Sequence, residues 1–194
     1  MARTTRRKPA RPPTVDSSTS EDSTEDSPSR RRDETSALVV RAQQGDLLAV
    51  DELLDLLAPY VSRLCGSIAL QDGQDAAQEA MIAIFRSIRH LKEPAALFGW
   101  ARAIATREAV RVARRSNKTT CAELTDIPVA GSADVVTDIK DVLRRLSPEH
   151  RAVLVLRHME GLDELSVSRL LEVPVGTVRS RLFRARRSFR KAWE

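Results

Sequence analysis

The chain has 194 residues, enough for one ordinary domain or two small ones with tails, and too few for a large multi-domain machine. Seven glycines and seven aromatics leave a core of Leu, Val, Ile and Ala and little turn chemistry for a many-stranded sheet, so an all-α fold is expected. Lys and Arg outnumber Asp and Glu by 32 to 27, a net charge of +5 that suits a polyanionic partner.

Residues 1–34 hold almost no large apolar side chain, so nothing there can bury enough surface to offset the entropy of ordering. They read as a disordered, solvated tail. Its charge is segregated, with five Lys or Arg before residue 12, acid from Asp16 to Asp26, then Arg30, Arg31 and Arg32. The basic start is followed by Pro, Ser, Thr and acid rather than an apolar stretch, and no run of about 18 apolar residues occurs, so secretion and membrane insertion are not expected.

From residue 35 to residue 117 apolar residues recur at helical spacing in four segments, broken near Gly45-Asp46, Gln71 to Gly73 and Glu93-Pro94. Pro59 falls inside the second segment and is expected to kink or divide it. Residues 118–138 turn polar and acidic, with Pro128 and Gly131, and read as an inter-domain linker of net charge −3. The helical period returns over residues 139–194, a second domain with net charge +6. Ser147-Pro148-Glu149 supplies an N-cap, a proline at the first helical position and an acid in the first turn, and helices are expected near 139–146, 148–159, 163–171 and 174–192.

Residues 163–192 have the layout of a helix-turn-helix: a short helix, a tight connection through Glu172, Val173 and Pro174, and a longer Arg-rich helix. At 100° per residue, Val178, Leu182, Ala185, Phe189 and Trp193 of that last helix fall together and point inward. The opposite face carries Arg179, Ser180, Phe183, Arg184, Arg187 and Lys191, and no acid occurs from Val175 to Trp193. An aromatic among arginines fits a surface that meets base edges and thymine methyls in a major groove, where Arg can bond guanine bidentately.

On the helix from Asp75, one face gathers Ala77, Ala80, Met81, Ile84, Ile88 and Leu91, and another Asp75, Gln78, Glu79, Ile82, Arg86 and Arg89. Ile82 on a polar face suggests a docking surface, although single exposed apolar residues are common. On the next helix Phe98, Ala101, Ala105, Ala109 and Val112 form a small-residue seam, with Trp100, Ile104, Arg107, Arg111 and Arg114 opposite. A tryptophan beside a cationic stripe could face unstacked bases or complete an aromatic-poor core; the arginines suit phosphates.

Catalysis finds no support, since His90, His150 and His158 lack metal-ligand spacing and neither a Gly-rich phosphate loop nor an activated nucleophile is evident. No cofactor or metal is expected. Cys65 and Cys121 share no CxxC spacing; Cys65 lies in an apolar helical stretch and should be buried, Cys121 in the linker exposed.

The stretch "EGLDELSVSRLLEVPVGTVRSRLFRARRSF" from Glu160 resembles region 4 of bacterial sigma factors of the extracytoplasmic-function group, most closely over "VPVGTVRSRLFRAR", and "LSPEHRAVLVLRHMEGL" resembles that region's first helices. Glu172 stands where the family usually has glycine. "DAAQEAMIAIFRSIRHL" from Asp75 resembles the segment of sigma region 2 that docks on the clamp helices of the polymerase beta-prime subunit. "FGWARAIATREAVRVARR" from Phe98 resembles the segment handling the minus-10 element.

The resemblance implies a transcription initiation factor, not an enzyme, with a region 2 bundle and a region 4 helix-turn-helix joined by a flexible linker. Its partners would be core RNA polymerase, through the beta-prime clamp helices and beta flap, promoter DNA, and an anti-sigma factor as regulator. By the same resemblance Thr177, Arg179, Ser180, Phe183, Arg184, Arg187 and Lys191 would meet the minus-35 duplex. Trp100, Arg107, Arg111 and Arg114 would meet the melted minus-10 strand, and Asp75, Gln78, Glu79 and Ile82 would bind core polymerase. A cytoplasmic location follows, on the nucleoid when in holoenzyme. The rival readings are an autonomous helix-turn-helix regulator, which predicts tight specific binding by the free protein, and a polymerase-binding scaffold, which leaves the Arg179–Arg190 face unexplained.

Overall fold

Helix-forming periodicity along nearly the whole chain produces a layered arrangement of helices in the computed structural model, which describes residues 28–120 and 141–193. These are α1 (Pro28–Gln43), α2 (Leu47–Ala69), α3 (Gly73–Ser87), α4 (Leu97–Thr120), α5 (Pro148–His158), α6 (Glu164–Leu171) and α7 (Val175–Trp193), with a helical turn at 141–144 and no strand among the described residues. The all-α expectation holds. Residues 118–120, expected to begin the linker, continue α4 instead, while the linker beyond them, with Cys121, and the tail up to residue 27 lie outside the described residues.

α1 starts at Pro28, so residues 28–34, read as tail from their lack of apolar side chains, belong to a helix. The physical reason is propagation. Val39 and Ala42 are buried and fix the C-terminal half, after which each added turn costs far less than nucleation. The exposed Arg30–Glu34 pair at 3.5 Å and the Thr35 hydroxyl donating to the Arg31 carbonyl at 2.8 Å accompany it.

Gly45, at φ 93°, ends α1, and the Asp46 carboxylate caps α2 by accepting from the Leu48 and Ala49 amides at 3.0 and 3.2 Å. Arg41 grips the same carboxylate at 2.7 Å, and that hydrogen bond holds Asp46 below its ordinary range. α2 then runs unbroken through Pro59, which corrects the expected division. Pro59 forfeits one backbone bond, but Leu57 and Val61 on either side of it are fully buried. Each such side chain contributes about 1.5–3 kcal/mol of burial. By length and composition the helical stretch Leu47–His90 could pass for a membrane span, yet eight residues of α2 alone pack into the core.

α2, α3 and α4 pack together with α1 across α2, around Leu53, Leu57, Leu64, Ile68, Ile84 and Leu97. The turn between α2 and α3 brings two backbones into contact: a Cβ built on Gly73 would lie 2.6 Å from the Gly66 Cα. Because the obstacle is backbone, Gly73→Ala must push α3 off α2, and an overpacking loss of about 1–3 kcal/mol is expected in chemical denaturation.

Cys65 is buried as anticipated, and that burial pushes its thiol up to about 12. A raised pKa means the thiol stays protonated in the native state; the stability this confers is complete below the unfolded value of about 9 and is lost as pH rises through the folded one. Alkylation of Cys65 at pH 8 is therefore expected only after unfolding, as read by mass spectrometry of the modified peptide.

The second unit is built on Val153, Leu156, Val167, Val178 and Leu182. The expected capping at Ser147 is present, its hydroxyl accepting from the His150 amide at 3.4 Å, and Asp163 caps α6 through the Ser166 amide at 2.6 Å. What periodicity did not anticipate is direct packing between the units. Ala152 and Val155 of α5 are buried in the same cluster as the core of the first unit, against α2 and α4.

Candidate nucleic-acid interface

The helix-turn-helix is closed by a left-handed residue, Glu172 at φ 55° and ψ 41°, in place of the glycine such a position favours. The strain, of order 1 kcal/mol, is held by bonds around it. The Glu172 amide donates to the Arg169 carbonyl at 3.3 Å, the Val173 amide to the Ser168 carbonyl at 3.1 Å, and the Ser168 hydroxyl to the Val173 carbonyl at 2.6 Å. Pro174 then opens α7, its carbonyl accepting from the Thr177 amide at 2.8 Å.

α7 divides as its periodicity implies. Val178, Leu182 and Ala185 are buried, Phe189 is half-buried, and the Trp193 side chain lies outside the described residues. Arg179, Ser180, Phe183, Arg184, Arg187 and Lys191 are exposed, while Thr177 is half-buried at the start of the helix. Phe183 is 67% exposed, a large apolar surface set among cations. Glu164, in the first turn of α6, accepts from the Arg179 Nε at 2.7 Å and fixes its direction. His150 on α5 is held below its ordinary pKa, first by burial and then by nearby Arg181 and Arg184.

On α4 the Ala101, Ala105, Ala109 and Val112 seam is buried as expected, but two assignments on this helix are corrected. Phe98, placed on the seam, is 43% exposed and meets the Tyr60 ring edge-on at 5.8 Å between centroids. Ile104, placed on the opposite stripe, is buried, because that stripe faces the second unit and Ile104 joins the cluster containing Ala152 and Val155. Trp100 is half-buried against the same core. Arg107, Arg111 and Arg114 are exposed along the stripe, yet each is engaged by carboxylate: Arg107 by Glu172 at 2.7 Å, Arg111 by Glu79 at 3.2 Å and by Glu108, and Arg114 by Glu149.

On α3 and the turn after it the buried face matches expectation, with Ala77, Ala80, Ile84 and then Ile88 in the core. Asp75, Gln78 and Ile82 are exposed together, whereas Glu79 turns toward Arg111 and Arg115 of α4. Phe85, which the sequence reading did not single out, is 51% exposed beside Ile82, itself 39% exposed. Its signal was its spacing, three residues after Ile82 and seven after Gln78 on one helix face. Among the described residues no group of His, Cys, Asp and Glu is placed to hold a metal.

The Sigma-70 region 2 family model matches residues 49–119, and the Sigma-70 region 4 model matches residues 137–189. The chain is 31% identical to the RNA polymerase sigma-H factor of Pseudomonas aeruginosa over 179 residues, covering 80% of this chain and 91% of that relative. It is 30% identical to the ECF RNA polymerase sigma-E factor of Haemophilus influenzae over 177 residues, covering 77% and 90%. Among solved structures, the fold is shared with the sigma factor RpoE in complex with the anti-sigma factor NepR from Bartonella quintana, at a TM-score of 0.57 and 19% identity over 74% of this chain and 95% of that one. It is also shared with CnrH in complex with the cytosolic domain of CnrY, at a TM-score of 0.55 and 18% identity over 81% and 95%. A region 2 bundle, a region 4 helix-turn-helix and relatives matched over nine-tenths of their length agree on one conclusion: the chain belongs to the extracytoplasmic-function group of sigma-70 factors.

Proposed function

We propose that this sigma factor binds core RNA polymerase through the exposed face of α3 and directs it to promoters by two DNA contacts. α7 reads the minus-35 duplex in the major groove and α4 meets the melted minus-10 strand, while the polymerase does the chemistry. The observation that carries this reading is the α7 face: Phe183 exposed among Arg179, Arg184, Arg187 and Lys191, on a helix anchored by Val178, Leu182 and Ala185. A merely solvated helix has no use for an exposed phenyl ring there; a groove lined by thymine methyls does.

In this reading α3 meets the beta-prime clamp helices through Asp75, Gln78, Glu79 and Ile82, with Phe85 added, and the second unit approaches the beta flap. Regulation by an anti-sigma factor fits the solved neighbour RpoE, a sigma factor held by the anti-sigma factor NepR. The protein then works in the cytoplasm, on the nucleoid when in holoenzyme. Run-off transcription with purified core polymerase on a genomic promoter library tests the function: a discrete set of transcripts dependent on this chain is the expected result, and none above core alone overturns it.

Phosphate contact and base contact separate by salt. Arg187→Ala and Lys191→Ala are each expected to flatten the dependence of log affinity on log salt by about one unit and to weaken all promoters alike. Filter binding of holoenzyme across a salt series reads both effects.

A further inference from the structure

We propose that Glu164, which lies outside the recognition helix, is a positioning residue that sets base preference through Arg179, an inference that rests on α7 being the helix that reads the minus-35 duplex. Arg179 stands in the second turn of α7, and the N-terminal residues of a recognition helix are those that meet base edges. Its side chain is 69% exposed, and its Nε donates to Glu164 Oε2 at 2.7 Å. That bond takes one guanidinium donor and leaves the Nη1 and Nη2 pair free, a fork that can meet guanine O6 and N7 together.

Neither helix needs this contact for its own sake. The start of α6 is already capped by Asp163, whose carboxylate accepts from the Ser166 amide at 2.6 Å and supplies the negative charge that a helix N-terminus favours. An ion pair this exposed adds little to stability. A carboxylate beside a DNA face also costs affinity, since it repels the phosphates that the neighbouring cations attract. Among the described residues Arg179 is the one cation of the outward face held by a carboxylate, while Arg184, Arg187 and Lys191 form no ion pair.

What the contact supplies is direction. An unheld arginine swings on several torsions and settles on a phosphate as readily as on a base, whereas one held at Nε presents its fork in a set orientation before DNA arrives. Glu164 therefore lowers general affinity and raises discrimination. A residue of purely structural value would move both the same way.

The test uses holoenzyme assembled from the full chain and core polymerase, and a duplex pool randomised over the minus-35 element and sequenced after selection for binding. Arg179→Ala sets the reference by flattening about one or two base positions. Glu164→Ala should flatten those same positions by about threefold to tenfold, bind mismatched duplexes more tightly, and steepen the salt slope by up to about one unit as Arg179 turns to phosphate. Glu164→Gln keeps an oxygen for Nε without the charge. It should retain more of the preference than Glu164→Ala yet still bind mismatched duplexes more tightly than the parent chain, and it keeps the test standing if Glu164→Ala does not fold. In an Arg179→Ala background, Glu164→Ala should change no base position. Preference lost with Arg179→Ala but kept in full with both Glu164 variants overturns the proposal and leaves α7 as the reader. A change of preference, or a uniform loss of binding, that persists in the Arg179→Ala background does not pass through Arg179 and overturns it too. Preference unchanged by Arg179→Ala itself overturns the reading of α7 at this residue, and the proposal with it.

Discussion

Gln78→Ala combined with Ile82→Glu is expected to weaken association with core RNA polymerase by about 2 kcal/mol, roughly thirtyfold, with helix content intact. Both residues are exposed on α3 and neither contributes to the core beneath, where Ala77, Ala80 and Ile84 are buried. A glutamate placed between Gln78 and Phe85 puts a charge in the centre of the apolar contact, where desolvation without a partner is costly. Co-purification reads the affinity and circular dichroism the fold. Unchanged co-purification would mean that this face is only solvated, and that Ile82 and Phe85 are ordinary exposed apolar residues.

The second large effect belongs to α7. Arg179→Ala or Arg184→Ala, by removing a bidentate base contact, is expected to cost about 1–3 kcal/mol and to relax preference at one or two base positions. Phe183→Ala is the sharper test, since it removes no charge and cannot act through phosphates. It is expected to alter which promoters are chosen while leaving the salt slope unchanged, measured by selection of minus-35 variants in run-off transcription. If the variant folds and selects the same sequences, the face does not read bases. Arg179 carries a further condition, because Glu164 aims its guanidinium.

Most of the fold was legible because the elements here are long and strongly periodic. The caps at Asp46, Ser147 and Asp163 and the breaks at Gly45 and Gln71 to Gly73 are local chemistry, readable without tertiary information. Three features were not legible, each for a tertiary reason. Pro59 reads as a breaker, but burial of the residues around it outweighs one lost backbone bond. The start of α1 is polar, and its helicity is borrowed from the docked half.

The interface between the units left its mark only in anomalies. Ile104 falls on a cationic stripe by periodicity, and Glu172 stands in a turn that favours glycine. Both are explained by one interface, that of α5 and the turn between α6 and α7 with α4. The division of α7 into a buried and an outward face was legible, since an exposed Phe183 opposite Val178, Leu182 and Ala185 follows from the wheel alone. The apolar part of the α3 face was half legible: Ile82 was found by its place on a polar face, while Phe85 was passed over.

Under the proposed function this chain selects promoters as part of a polymerase rather than as a regulator on its own. In that reading its two DNA-contact modules are small, one outward helix face and one arginine stripe that carboxylates of the same chain engage. A mobility-shift titration of duplex promoter DNA with the purified chain, run with and without core RNA polymerase, tests it directly. Weak and unselective binding by the chain alone, and selective binding only with core present, are expected; nanomolar, sequence-specific binding by the free chain would overturn the proposed function.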